Sequence, residues 1–315
     1  MTPTSANPDC PAQNCEQLAR ELGGRVSGGT RVRCHEPLAK RTTLRAGGPA
    51  DVYVEPASEA DLATVLKFCA EWALKFLVLG RGSNLLVRDG GFRGVVLCLA
   101  HPHFSRIEVA DQRVHCGAGA KLKQIAVEAR RHGLSGVEFL EGIPGSVGGA
   151  LRMNAGAMGA ATFDAVATIR VMGFDGRTEE FAASALAVEY RGCALLKNHI
   201  ALAAVFKGKP LPPEEIAKRM NVFSHKRWES QPAAPSAGCI FKNPAAIPAG
   251  KLVDELGLKG TRVGGAMVSM EHGNFIVNDG TATARDVLEL IESVQRRAKA
   301  ARRIELDTEV EIVGE

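Results

Sequence analysis

Phe76-Leu77-Val78-Leu79 runs straight into Gly80-Arg81-Gly82-Ser83-Asn84-Leu85-Leu86, a short apolar run ending in a glycine-rich loop, and its reading decides the fold. Four apolar residues bounded by a turn signal read as a buried strand. Before it, Asp51 to Glu55 alternates as a strand does. Ser58-Glu59-Ala60-Asp61 is then a capping box ahead of Leu62, Val65, Leu66 and Cys69 at helical spacing. Gly94 to Leu99 is a third strand, so the segment has a β-α-β rhythm.

Further along, a strand from Val114 enters Gly117-Ala118-Gly119, and a helix over Lys121 to His132 turns Leu122, Ile125, Ala126 and Ala129 inward before Gly133 closes it. A second glycine-rich stretch follows, Gly142-Ile143-Pro144-Gly145-Ser146-Val147-Gly148-Gly149, then Asn154-Ala155-Gly156. Ala167 to Met172 and Thr178 to Phe181 flank Phe174-Asp175-Gly176 as a hairpin, and His199 to Phe206 is another strand. At Lys209-Pro210-Leu211-Pro212-Pro213 the composition changes and a helix begins, which places a domain boundary there. Helices are expected near Glu214 to Arg227, Gly250 to Leu256 and Ala284 to Arg302, with strands at Asn274 to Asn278 and Ile304 to Val313. The expected division is a lead-in segment over 1–35 with one short helix near Glu16 to Leu22, a first domain over 36–210 and a smaller α+β domain over 211–315.

At 315 residues, 45% hydrophobic and 23% charged, the chain is long enough for two domains and too apolar for wholesale disorder. Its 39 basic and 35 acidic residues, net +4, are too balanced for a protein that lives on nucleic acid. The densest basic cluster, Arg296, Arg297, Lys299, Arg302 and Arg303, reads as the solvated face of a helix. No apolar run reaches the roughly 18 residues of a membrane helix, and Met1 to Asn7 lacks the features of a signal peptide. A cytoplasmic protein without membrane contact is the expectation. The eight cysteines show no CxxC and no zinc spacing with histidine, so neither a metal site nor a disulfide framework is expected.

Glycine lets successive backbone N–H groups turn toward one anion, and Ser83, Asn84 and Ser146 add side-chain donors, so the two loops together suit a pyrophosphate. Neither matches the P-loop or the Rossmann fingerprint, which points to a dinucleotide held by another fold. Elsewhere the residues are less specific. Arg191, after Tyr190, has the planar donor fork of a carboxylate or phosphate clamp, but taken alone it reads as a surface arginine. Cys239, in the turn-prone Ser236-Ala237-Gly238-Cys239-Ile240-Phe241-Lys242-Asn243-Pro244, reads as a buried thiol. In Ile304 to Ile312 the apolar residues alternate, which by itself puts Glu305, Asp307, Glu309 and Glu311 on a solvated face.

Taken together, Thr42-Thr43-Leu44-Arg45-Ala46-Gly47-Gly48-Pro49-Ala50, both glycine loops, Gly136 to Glu141, Tyr190-Arg191, Gly238 to Pro244, Gly257 to Gly260, His272-Gly273-Asn274 to Asn278 and Glu309 to Gly314 resemble the UDP-N-acetylenolpyruvoylglucosamine reductases of bacterial peptidoglycan synthesis, the MurB family. Any one piece is weak, but their order and spacing are specific.

The resemblance implies a flavin-binding domain of the vanillyl-alcohol-oxidase type, two α+β lobes holding FAD, followed by a substrate domain whose last strand returns Glu309 to the active site. It implies NADPH as hydride donor and reduction of the enolpyruvyl group of UDP-N-acetylglucosamine enolpyruvate. In this chain the FAD contacts would be Leu79 to Leu85, Gly117, Gly119, Gly142 to Ser146, Gly148, Gly149, Asn154 and Gly156. Arg191 and Glu309 match the pair that stabilises the enolpyruvyl group, Glu309 with a pKa raised by burial. Tyr190, Lys242, Asn243, His272 and Asn274 match substrate contacts. Cys239 stands where the commoner family pattern has the serine proton donor, and a thiol gives up a proton more readily than an aliphatic hydroxyl.

The short interval from Arg191 to Lys209 resembles the subclass without an extra substrate-covering tyrosine loop, leaving Arg227, Gln231 and Pro232 as candidates to cover the pocket. The loop Gly80 to Asn84 holds no histidine, so noncovalent FAD is expected, in a monomer. Two other readings stay open on sequence: an oxidase or dehydrogenase of the same flavin fold, and a non-catalytic sugar-nucleotide or flavin-binding protein.

Overall fold

Val52 and Val54 turn to one face of a four-stranded sheet while Ala50 and Tyr53 turn to the other, and both faces are buried. The computed structural model describes residues 15–315. The sheet runs in the order Arg31–Pro37, Pro49–Glu55, Phe92–Cys98, Phe76–Leu79; the first pair is antiparallel and the others parallel. On one face Val52, Val54, Val95 and Leu97 share a core with Leu62, Val65, Leu66 and Cys69 of the helix Glu59–Glu71. On the other, Tyr53, Val96 and Cys98 pack with Leu38, Leu79, Leu85 and Val87. A sheet covered on both faces needs near-continuous apolar strands, which is why Val95 to Cys98 shows no alternation. Each such side chain contributes about 1.5–3 kcal/mol when fully buried.

The capping box forms only in half. Ser58 Oγ accepts from the Asp61 backbone N–H, but the Asp61 carboxylate turns to Ser27, accepting from its N–H and its hydroxyl at 2.8 Å each. This ties the turn before the first strand to the helix. The helix Cys15–Gly23 also buries Leu18 and Leu22 in the same core. The described part of the expected lead-in is thus packed structure, and position 35 falls inside the strand Arg31–Pro37. Residues 1–14, with the signal-peptide expectation, lie outside the described residues.

A five-stranded antiparallel sheet follows, in the order Thr178–Ala182, Val166–Gly173, His199–Lys207, Arg113–Gly117, Ile107–Ala110. The helix Leu122–Arg131 lays Leu122, Ile125, Ala126 and Ala129 into the core it shares with the first sheet. The helix Pro213–Ser230 starts where the composition changes, yet its two buried residues, Ile216 and Met220, lie in this first core. One turn apart, they make a single narrow stripe that fits the surface beside Glu138–Gly142, so the helix packs back on what precedes it.

The third sheet, Ser236–Cys239, Phe275–Asn278, Ala266–Val268, Arg262–Val263, packs with the helices Ala249–Glu255 and Ala284–Arg302 in a separate core. Leu44, Ala46 and Leu86 reach into that core from the first half. The expected strand over Ile304 to Val313 is shorter: only Glu311–Val313 joins a ladder, parallel to Leu85–Val87. Upstream of it the chain is held by single contacts, Lys242 N–H to Asp307 O at 2.9 Å and Glu309 N–H to Ile240 O at 2.7 Å. Those bonds replace regular pairing. Among the described residues, no helix is long and apolar enough to cross a membrane.

Candidate active site

Between the first two sheets and the third lies a cavity of about 1450 Å³. Both glycine loops line it, Leu79 to Leu85 from one side and Gly142 to Ser146 with Gly148 and Gly149 from the other. They are tied across the gap by the Ser83 hydroxyl, which donates to Pro144 O at 2.8 Å. Gly82 has φ +60, and a Cβ there would lie 2.6 Å from Arg41 O and 2.7 Å from Thr42 Cα, so the loop closes only with glycine.

The wall also carries Lys40, Arg45, Arg81, Arg152 and Lys197, against Glu309 and Glu311. Turned glycine loops in a cationic wall suit a pyrophosphate, and a space of this size suits a dinucleotide with a second ligand. The residues present therefore fit FAD.

At one end of the cavity three distant segments meet. Arg191 follows the strand Val188–Glu189 and adopts φ 59, a left-handed conformation costly for a residue with a Cβ. Its Nε lies 2.8 Å from Glu309 Oε1, but the N–H is not aligned with that oxygen, so the contact is an ion pair without a hydrogen bond. The guanidinium also stands over the Tyr190 ring, 5.2 Å from its centroid.

Glu309 is brought in by the return of the chain. Asn84 Nδ2 donates to Glu309 O at 3.0 Å, and Glu311 N–H donates to Asn84 O at 3.1 Å. Only 9% of the Glu309 side chain stays exposed. Burial pushes its carboxyl above the ordinary range, with Arg191 and Lys242 pulling the other way.

Cys239 ends a strand that bulges: Ser236 pairs with Val277 and Cys239 with Phe275, so one strand spends an extra residue. Gly238, at φ +76, takes the turn that re-aims the next side chain. Burial, with Glu309 adding to it and Arg191 opposing, pushes the thiol up to about 11. Cys239 lines both the large cavity and a second one of about 310 Å³, walled by Asn243, Lys251, Lys259, Glu271 and His272.

Several expected contacts lie elsewhere. Gly117 is not in the wall; its N–H is spent on Arg106 O and its open side faces Phe104 O. Asn154 donates to Glu189 O and accepts from Phe163 N–H, which takes its amide out of the cavity. Asn274 is 3% exposed, and its amide accepts from Phe241 N–H and donates to Phe241 O, both at 2.8 Å. It positions the segment carrying Cys239, at the wall of the smaller cavity.

The hydroxyl of Ser83 and the amide of Asn84, read as phosphate donors, instead join parts of the protein. Tyr190 is 62% exposed, and Lys242 is exposed outside the large cavity. Gly119, Gly156, Arg227 and Gln231 do line the large cavity, whereas Asn243 and His272 line the smaller one. In the latter, burial first and Lys259 second lower the His272 pKa, and Asn243 Oδ1 is spent on Ala249 N–H.

Two groups were missed. Thr43 hydrogen-bonds both Gly82 O and Ser236 O, joining the glycine loop to the strand of Cys239; a Thr-Thr pair carries no signal of such a long-range role. Trp228 lines the cavity beside Arg227, on a helix whose apolar pattern does not include it.

The family model for the C-terminal domain of UDP-N-acetylenolpyruvoylglucosamine reductase matches residues 231–313, and that for an FAD binding domain matches residues 50–182. The chain is 44% identical over 281 residues to the UDP-N-acetylenolpyruvoylglucosamine reductase of Geobacter metallireducens, covering 89% of this chain and 93% of that one. It is 40% identical over 302 residues to that of Bacillus subtilis, covering 95% and 99%. The crystal structure of the Thermus caldophilus reductase superimposes with a TM-score of 0.79 at 40% identity, covering 90% of this chain and all of that one. By sequence along nearly its whole length and by fold, this chain belongs to the UDP-N-acetylenolpyruvoylglucosamine reductase family.

Proposed function

We propose that the chain reduces UDP-N-acetylglucosamine enolpyruvate to UDP-N-acetylmuramate with NADPH, in peptidoglycan precursor synthesis, and that Cys239 supplies the proton. The observation that carries this reading is the meeting of Arg191, Glu309 and Cys239 at one end of a cavity lined by two glycine loops. The two glycine loops would hold FAD, which when bound would supply the relay for a hydride from NADPH to C3 of the enolpyruvyl group. As it arrives, negative charge builds on the enolpyruvyl carboxylate, and groups already aimed there lower the barrier. Arg191 engages Glu309 through Nε, which leaves its terminal nitrogens for that carboxylate. Glu309, paired with Arg191 and with its pKa raised by burial, orients a donor toward the same group. Cys239, protonated at neutral pH, gives its proton to C2.

In this reading the part before the helix Pro213–Ser230 holds FAD without a covalent bond, and the part after it completes the substrate site. Asn243 and His272, in the smaller cavity that shares Cys239, contact the substrate there. The protein belongs to the subclass without the tyrosine loop and works as a cytoplasmic monomer. The test is anaerobic stopped flow: NADPH bleaches the flavin absorbance, and the UDP-sugar then restores it. Bleaching without recovery would assign another flavin substrate; no bleaching would assign an oxidase or a binding protein.

A further inference from the structure

One large side chain in the cavity wall has no part in the reaction described so far. Trp228 is 68% exposed, the most exposed large apolar side chain among the described residues, and it lines the flavin cavity. It sits in the last turn of the helix Pro213–Ser230. That helix is anchored near its start by Ile216 and Met220 in the core, and at its end by Arg227, whose Nη1 donates to Gly142 O at 3.0 Å. The indole is thus held in place while its own surface stays in water, an arrangement that burial by a ligand would relieve.

The groups along the wall narrow the ligand. From Cys239 back to Gln231 every residue lines the cavity, and Trp228 and Arg227, neighbours in the chain, follow beyond. The wall therefore presents a thiol at the reacting end and, further along the same segment, a flat aromatic ring beside a cation. A nucleotide diphosphate presents complementary groups: a reacting end, a diphosphate and a flat base.

We propose that Trp228 stacks on the base of the nucleotide whose reacting end lies at Cys239, and so closes the mouth of the cavity. Both substrates of the proposed reaction, the UDP-sugar and NADPH, have this chemistry, and the inference rests on that reaction. Stacking on an aromatic side chain tolerates either base, because every base has a π-face.

The chain has two tryptophans, and Trp72 packs against Phe68 with ring centroids 5.6 Å apart. In holoenzyme carrying Trp72→Phe, the remaining indole emission reports Trp228 directly. UDP and NADP, neither able to react, are titrated separately. Saturable quenching by UDP assigns the stack to uracil and quenching by NADP to the dinucleotide; quenching by neither overturns the proposal. The same comparison between wild type and Trp228→Phe avoids any effect of the Trp72 change. Trp228→Ala should raise KM for the quenching nucleotide about tenfold with kcat within about twofold, and Trp228→Phe should restore KM to within about threefold. An unchanged KM in Trp228→Ala would also reject the stack. Flavin bleaching and recovery in the wild type test the reaction itself, so its failure is read separately.

Discussion

Nε of Arg191 stands 2.8 Å from Oε1 of Glu309, joining a left-handed turn ahead of the helix Pro213–Ser230 to the segment just before the last strand. Neither residue reaches the site alone. Asn84 holds Glu309 through its backbone carbonyl, and Cys239 lies close enough for both charges to act on its thiol. The glycine loop, Cys239 and the carboxylate are thus one connected assembly.

Cys239 carries the first prediction. With its thiol pushed up to about 11 it holds a proton at neutral pH. Cys239→Ala should leave flavin bleaching by NADPH within about twofold and slow recovery with the UDP-sugar by about 10²–10⁴, the usual contribution of a general acid. Cys239→Ser should retain much of the recovery. Stopped flow separates the two halves, and an equal loss in both would end the donor role.

Glu309 makes a pH-dependent contribution to stability. Burial is the largest influence and raises its carboxyl, so its folded pKa lies above its unfolded one. Its stabilising contribution is present below the unfolded pKa and is lost as pH rises through the folded pKa. Glu309→Gln removes this titration. The Tm of the variant relative to wild type should therefore rise from about pH 4 to about pH 8, on either side of the ordinary carboxylate range. A relative Tm that falls with pH would mean that pairing with Arg191 outweighs burial.

Asn274 is expected to act through position. Asn274→Ala leaves the Phe241 N–H and C=O without their partners in a buried place. At about 1–3 kcal/mol for each orphaned group, the loss should be roughly 2–6 kcal/mol by urea unfolding. Recovery of the flavin should slow with it, since Cys239 sits two residues before Phe241. Stability equal to wild type would contradict the clamp.

Gly82 tests the flavin loop. Gly82→Ala places a Cβ 2.6 Å from Arg41 O at φ +60, and the left-handed conformation alone costs roughly 1–2 kcal/mol. The apoprotein should bind FAD at least about tenfold more weakly, read by titrating the flavin absorbance. Wild-type affinity would show that the loop does not carry the cofactor.

Most of the helices, several of the strands and the hairpin around Gly176 were legible because their signals are local. Four apolar residues before a turn, Leu62 and Leu66 one turn apart, and glycine after His132 act over a few residues. The α+β architecture followed from them, and the family resemblance followed from motif order. Fine placement was less legible. The helix Pro213–Ser230 was expected to open a new domain, and its two buried residues joined the old core.

By itself the sequence determined most of the helices, several of the strands, the two glycine-rich turns, and which family the motifs match, since backbone preference and side-chain periodicity act between near neighbours. Only the tertiary structure decided which polar groups are free for a ligand. Alternation puts Glu309 in water; Asn84 and the parallel pairing with Leu85–Val87 bury it beside Arg191. Asn274, Ser83 and Asn84 resemble ligand donors in a motif, and they spend those donors on Phe241, Pro144 and Glu309. The physical reason is that burial and hydrogen-bond satisfaction are sums over everything nearby, and nearly everything near this site comes from far away in the chain.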